Sequence, residues 1–204
     1  MIQFKKIDFK SYNDIWELEQ KMEMKKTIVD SFMSYGELHN YIKSTTKSIP
    51  QSDEELFKII LLIQKWGGTT GRYFLIIRKG ESYFDKLKNN ESLIKLYREA
   101  AKSAMNGDPK SFDLFCGIPG IKESFAGKHA YFWSNPKNPL IIIDKLLAQY
   151  FGFENPNLLL KSCNGYSNLY DIFSKEYKAN NLSSILTLER GIFQYVRESN
   201  KKKK

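Results

Sequence analysis

The sequence predicts a nearly all-α fold, and two features carry that expectation. Ser34-Tyr35-Gly36-Glu37 and Ser52-Asp53-Glu54-Glu55 have capping-box spacing, in which a hydroxyl and a carboxylate satisfy the free N–H groups at a helix start. Behind such starts the apolar residues recur at helical intervals, and Gly, Asn and Pro clusters punctuate them. After Ser52, residues Leu56, Ile59, Ile60 and Ile63 fall on one face; Trp66 closes that helix and Gly67 to Gly71 break it. The run Tyr73–Ile77, enclosed by Arg72 and Arg78, fits a buried helix turn or a strand, and leaves room for one short strand pair. From Ser92, residues Leu93, Leu96, Tyr97, Ala100, Ala101 and Ala104 predict another helix that Asn106-Gly107 stops. Asp108-Pro109 reads as an N-cap and first helical position before a short helix through Phe112 and Phe115. Asn135-Pro136 and Asn138-Pro139 mark a loop, and Tyr166–Tyr177 and Ile185–Val196 read as two late helices.

At 204 residues, with 42% hydrophobic and 14% aromatic residues, the chain suits a single helical domain over 1–200. Residues 201–204, all lysine, read as a disordered basic tail. The net charge of +9 becomes +5 without those lysines, a balance that favours nucleic acid or another polyanion. Cys116 and Cys163 are too few for a disulfide framework, a zinc site or an iron–sulfur cluster, and His39 and His129 are too few for a His-based metal centre. No metal and no cofactor are expected. No apolar run is long enough for a membrane, and the opening Met1–Asp14 has no signal-like segment, so a reducing, cytoplasmic setting is the expectation. Gly67-Gly68-Thr69-Thr70-Gly71-Arg72 has phosphate-loop composition without the pattern; it reads as a turn from which Arg72 and Arg78 reach a nucleic-acid backbone.

The informative stretch runs from Cys116 to Gly152. Gly117-Ile118-Pro119-Gly120-Ile121 is followed by Lys122-Glu123-Ser124-Phe125-Ala126-Gly127-Lys128, then by a Pro/Asn loop and Leu140-Ile141-Ile142-Ile143-Asp144. Pro119-Gly120 makes a tight hairpin whose N–H groups can face a phosphate. Asp144 ends an apolar run where the next helix begins, an N-cap position that keeps a carboxylate ionised and oriented. An anion held there can stabilise positive charge growing on a sugar as its base leaves, and can orient a water.

This segment resembles the signature of the helix-hairpin-helix, Gly/Pro-rich-loop, Asp DNA glycosylase superfamily: Leu-Pro-Gly-hydrophobic-Gly-x-x-x-Ala, then a hydrophobic run ending in Asp. Ile118, Pro119, Gly120, Ile121, Ala126 and Asp144 match it, over about Asp108 to Gly152. The resemblance implies a compact helix-hairpin-helix glycosylase-like helical domain. It implies DNA contacts at Pro119, Gly120, Ile121 and Lys122, and catalysis by Asp144. Two positions depart from the pattern. Lys122 stands where the hairpin has its second Gly, so either the turn differs or the ammonium takes the phosphate. Ser124 stands where bifunctional members carry a Schiff-base lysine, as in monofunctional relatives, which puts AP-lyase activity in doubt. Lys128, one turn later on the same face, either supplies an amine to that pocket or faces solvent or phosphate.

The late helix is similar to that of the 8-oxoguanine glycosylase branch, which presents a Gln and, four residues on, a Phe to the extruded base. Here Glu189 and Phe193 hold those positions. Phe193 would stack on the base, and a Glu189 carboxylate would accept from the N1–H and N2–H₂ donors of a guanine-type edge; the alternative is a core Phe and a surface Glu. Most similar are the short bacterial proteins described as having the 8-oxoguanine-glycosylase fold. The resemblance implies a base-flipping hydrolase of base excision repair acting on a damaged or modified purine in DNA, with Asp144 and Lys128 catalytic and Ser124, Glu189 and Phe193 at the base. The alternative is a catalytically idle nucleic-acid or modified-nucleobase-binding module of a bacterial antiviral defence system, with partner proteins of that system.

Overall fold

In the computed structural model of the protein, residues 2–21, 34–77 and 80–202 are described. Eleven α-helices follow one another along them: α1 Phe9–Glu19, α2 Tyr35–Thr45, α3 Asp53–Trp66, α4 Tyr83–Lys88, α5 Glu91–Met105, α6 Ser111–Cys116, α7 Glu123–Trp133, α8 Lys145–Tyr150, α9 Pro156–Ser162, α10 Tyr166–Ala179 and α11 Ile185–Lys201. A 3₁₀ helix, Gly68–Phe74, follows α3, and no strand occurs among the described residues. The fold is all-α, as the sequence predicts. No helix among them is long and apolar enough to cross a membrane.

Short polar side chains start these helices because each accepts from N–H groups that the first turn leaves unpaired. Ser34 and Ser82 form full capping boxes with Glu37 and Asp85. Ser52, Asn90, Asp144, Asn155 and Ser184 cap α3, α5, α8, α9 and α11. The helix predicted after Ser52 ends at Trp66, and the one predicted from Ser92 starts at Glu91 and ends before Gly107, which takes a φ of +72°.

Three expectations change. The Tyr73–Ile77 run is neither a buried turn nor a strand: Phe74 is buried, while Tyr73 and Leu75 to Ile77 are exposed. Gly71 lies so close to the Gln64 carbonyl, 1.9 Å from where a Cβ would stand, that the chain turns sharply and only Phe74 reaches the core. Arg78 lies outside the described residues. Asp108 caps a turn rather than the helix. Its Oδ1 accepts from the Lys110 N–H at 3.0 Å, and α6 starts one residue later, at Ser111. The basic tail is shorter than expected, because α11 runs through Lys201, whose Nζ reaches Glu198 at 2.7 Å and Glu19 at 3.4 Å. Cations in the last turn also suit the partial negative charge of a helix C-terminus. Lys203 and Lys204 lie outside the described residues.

Helix α7 is the axis of the core, touching α2, α3, α5, α6 and α9. His129 is its buried polar centre. Its Nδ1 lies 2.7 Å from the Tyr97 hydroxyl and its Nε2 3.2 Å from Gln64 Nε2, while Trp133 Nε1 donates to Tyr97 at 3.0 Å. Burial, with the Lys128 charge adding, lowers the His129 pKa to about 3, so the ring is neutral at physiological pH. On the opposite flank α1 lies against α11 in the most extensive helix pairing of the fold. That approach depends on Gly191, where a Cβ would stand 2.5 Å from the Phe9 carbonyl oxygen and 2.9 Å from Phe9 Cα.

The α1–α11 contact gives a direct stability prediction. Gly191→Val must push α1 away, because the obstructing atoms are backbone. Overpacking of this kind costs about 1–3 kcal/mol, a fall in Tm of several degrees. A thermal melt of Gly191→Val that matches the unsubstituted chain would contradict this packing.

Candidate active site between α7 and α11

Helices α6 and α7 are joined by the predicted hairpin. The Ile121 N–H donates to the Ile118 carbonyl at 3.0 Å, closing a turn with Pro119 second and Gly120 third. Gly120 takes a φ of +83° and sits against the Tyr83 ring, where any Cβ would be 2.6 Å from Tyr83 Cβ. Glycine is therefore required there on two counts. Lys122 is extended, at φ −97° and ψ 177°, so the missing second Gly causes no strain. Its side chain and Pro119 are exposed; Ile121 is buried, and its N–H is spent in the turn.

Beyond α7 the chain returns as an extended segment through Leu140, Ile141 and Ile143, all buried. The Tyr166 hydroxyl donates to the Ile141 carbonyl at 2.8 Å and anchors it. This segment lies directly on α7 at Gly127, where a Cβ would stand 2.9 Å from the Ile143 nitrogen. The absent side chain lets Asp144 arrive beside the α7 face that carries Ser124, Lys128 and Tyr131, residues at i, i+4 and i+7. Asp144 caps α8, its Oδ1 accepting from the Leu147 N–H at 2.9 Å.

Together these elements enclose a cavity of about 470 Å³, within the range that holds small ligands. Ser124, Lys128, Asp144, Glu189 and Phe193 all line it. These are the five residues expected at the catalytic and base-binding positions; Pro119, Gly120, Ile121 and Lys122 do not line it. Sequence reasoning missed much of the rest of the wall, including Trp16 and Glu19 from α1, Gln20 at its end, Trp66 from α3, and Arg190 and Arg197 from α11. Trp66 Nε1 and Gln20 Oε1, a donor and an acceptor on residues that line the cavity, are buried without a hydrogen-bond partner among the described residues. Such orphans are uncommon and costly.

The cavity gathers ionisable groups in a low-dielectric setting. Lys128 Nζ donates to Ser124 Oγ at 2.9 Å and lies 4.8 Å from the Phe125 ring centroid. Burial lowers the Lys128 pKa, against the pull of the Asp144 and Glu189 carboxyl groups. Burial pushes the Asp144 carboxyl up, while the Lys128 ammonium and the Leu147 and Leu146 N–H groups hold it down. Glu189 has no hydrogen bond among the described residues and is 7% exposed. Burial pushes its pKa up to about 8, opposed by Arg190 and reinforced by Asp144. The sequence-based picture of Glu189 as an ionised acceptor pair therefore changes. At neutral pH it is mostly a carboxylic acid, offering one donor and one acceptor.

A second layer braces this wall. The Tyr131 hydroxyl lies 2.6 Å from His39 Nε2 and accepts from Arg190 Nη2 at 2.9 Å. Burial, chiefly, lowers the His39 pKa to about 4. Lys43 donates to the carbonyls of Tyr131, Phe132 and Ser134 at the end of α7, and burial brings its amine down to about 8. Among the described residues no three His, Cys, Asp or Glu side chains gather as metal ligands. The chain matches no family model, no curated protein and no solved structure.

The raised Glu189 pKa sets a pH dependence with a definite sign. Unfolded, this carboxyl loses its proton near pH 4.5; folded, near 8. Stability from this group is full below 4.5 and declines as pH rises to about 8, because only the unfolded chain has shed the proton. Glu189→Gln has no proton to lose. Its melting temperature relative to wild type should climb across that interval and level off above it, whereas a constant difference would place Glu189 in solvent.

Proposed function

We propose that the cavity receives a purine extruded from DNA and that Asp144 drives cleavage of its N-glycosidic bond. One observation carries this reading: Ser124 and Lys128 on α7, Asp144 at the start of α8, and Glu189 and Phe193 on α11 line a single cavity. The hairpin, with Pro119 and Lys122 exposed, would take the DNA backbone. Phe193 would stack on the base, and Glu189 would meet its polar edge. The base would supply partners to Trp66 Nε1 and Gln20 Oε1, which have none among the described residues.

The chemistry follows from the charges. As the glycosidic bond lengthens, positive charge grows on the sugar, and a fixed carboxylate beside it lowers the barrier. Asp144 is fixed by its cap, and Lys128 with the capping N–H groups favours its ionised form against burial, which raises its pKa. Lys128 is thereby a charge partner that favours the working form of Asp144, and its amine is occupied by Ser124 Oγ. The departing base needs a proton, and Glu189 carries one at neutral pH. A water oriented by the Asp144 carboxylate then bonds to the sugar carbon that the base has left and gives its proton to that carboxylate.

Base choice should depend on pH. A protonated Glu189 suits the O6 and N1–H of guanine and equally the N1 and N6–H₂ of adenine. Ionised, it accepts from guanine N1–H and N2–H₂ and repels adenine N1. Release of bases from oligonucleotides bearing guanine-type and adenine-type lesions tests both claims. Asp144→Asn should lower release by roughly 10²–10³-fold or more while binding persists, because Asn retains the cap. Selection for the guanine type should rise as pH passes about 8 in wild type and stay flat in Glu189→Gln. Equal release by Asp144→Asn would reduce Asp144 to a cap. Binding without release in either chain would favour the idle binding module, which Lys122 and Ser124 already suit.

A further inference from the structure

The cavity holds more positive than negative charge. Lys128, Lys145, Arg190 and Arg197 line it against Glu19, Asp144 and Glu189. Arg197 is ion-paired with Glu19, and Lys128 and Asp144 act on each other. Glu189 carries its proton at neutral pH. Arg190 has no carboxylate within ion-pair distance among the described residues.

Arg190 is nonetheless held in place. Its guanidinium carbon lies 4.2 Å from the centroid of the Trp16 ring, and its Nη2 donates to the Tyr131 hydroxyl at 2.9 Å. Tyr131 is itself fixed by His39 at 2.6 Å. An arginine fork has five N–H donors, and among the described residues one of them is used here. The side chain is thus ordered before any ligand arrives, by one contact on α1 and one on α7, and most of its donors are unspent. A planar fork presented in this way matches the paired oxygens of a phosphate. It is adjacent in sequence to Glu189, so the two side chains leave α11 about 100° apart, toward neighbouring walls of the cavity.

Resting on the reading of the cavity as a purine site, we propose that Arg190 is its phosphate contact. The ligand is then a purine nucleotide, not a base or nucleoside alone, with the base at Phe193 and Glu189 and the phosphate on the Arg190 fork. That phosphate comes either from the strand flanking an extruded nucleotide or from a free mononucleotide.

Calorimetric titration with deoxyguanosine and with dGMP, at pH 7 and fixed salt, tests the assignment. Wild type should bind dGMP at least tenfold more tightly. Arg190→Gln should erase that difference and leave deoxyguanosine affinity as it was, and Arg190→Lys should keep only part of it. The strand is tested with a single-stranded oligonucleotide carrying one neutral methylphosphonate beside the lesion. That change should weaken wild-type binding about tenfold and Arg190→Gln not at all. A difference with dGMP assigns the phosphate to a free nucleotide, and one with the oligonucleotide alone assigns it to the strand; both support the proposal. Equal binding of dGMP and deoxyguanosine by wild type, with no methylphosphonate effect, overturns it. So does an Arg190→Gln chain of unchanged Tm that loses both ligands equally, since Arg190 would then brace the wall or read the base. If excision by wild type continues under those results, only the phosphate assignment fails; if no purine ligand binds at all, the reading of the cavity fails with it.

Discussion

The contact between the extended Ile141–Ile143 segment and α7 at Gly127 is the constraint on which the site depends. A helix in contact with another backbone at such close range needs a residue without a side chain, and the Cβ space at Gly127 is already taken by the Ile143 nitrogen. The consequence reaches one residue further. Because Ile143 is pressed onto α7, Asp144 starts α8 beside Lys128 rather than out in solvent. The second wall has the same origin: Gly191 lets α1 settle on α11, which brings Trp16 and Gln20 to the helix that carries Glu189, Arg190 and Phe193.

Burial then decides the protonation states. A lone charge in such a place would neutralise, since desolvation costs more than any single contact returns. Lys128 and Asp144 each favour the other's charged form, and the capping N–H groups add to the carboxylate side. Glu189 receives no hydrogen bond, and near Asp144 its ionisation is further opposed, so it retains its proton up to about pH 8. One carboxyl group keeps its proton at neutral pH, and the other is drawn toward its charged form by Lys128 and its cap against burial. The Arg190–Tyr131–His39 chain supplies fixed donors on the remaining wall.

Much of this was legible in the sequence, for reasons that are local. Caps and helical periodicity fix α2, α3, α5 and α11, and the Pro-Gly pair fixes the hairpin, because each depends on neighbours within a few residues. That Ser124 and Lys128 share a helix face and that Asp144 is an N-cap also follow locally, but their meeting in one cavity depends on the packing of Ile143 against Gly127. What could not be read depends on contacts between distant segments. Nothing in Phe9–Glu19 announces that Trp16 will stack on Arg190, more than 170 positions later. The Tyr73–Ile77 run looked apolar enough to be buried, yet Gly71 turns it outward. Glu189 looked like an ionised acceptor because its neighbours in sequence reveal neither its burial nor its lack of a partner.

The central claim is that the cavity buries two carboxyl groups beside a lysine, one protonated at neutral pH and the other drawn toward its charged form by that lysine. Carbon-13 NMR of side-chain carboxyls across a pH titration tests it most directly. One resonance should titrate near pH 8 and vanish in Glu189→Gln, and that of Asp144 should titrate above the ordinary carboxylate range and move further upward in Lys128→Met. If every carboxyl titrates in the ordinary range near 4, and Lys128→Met moves none of them, these groups face water and the account of the cavity is wrong.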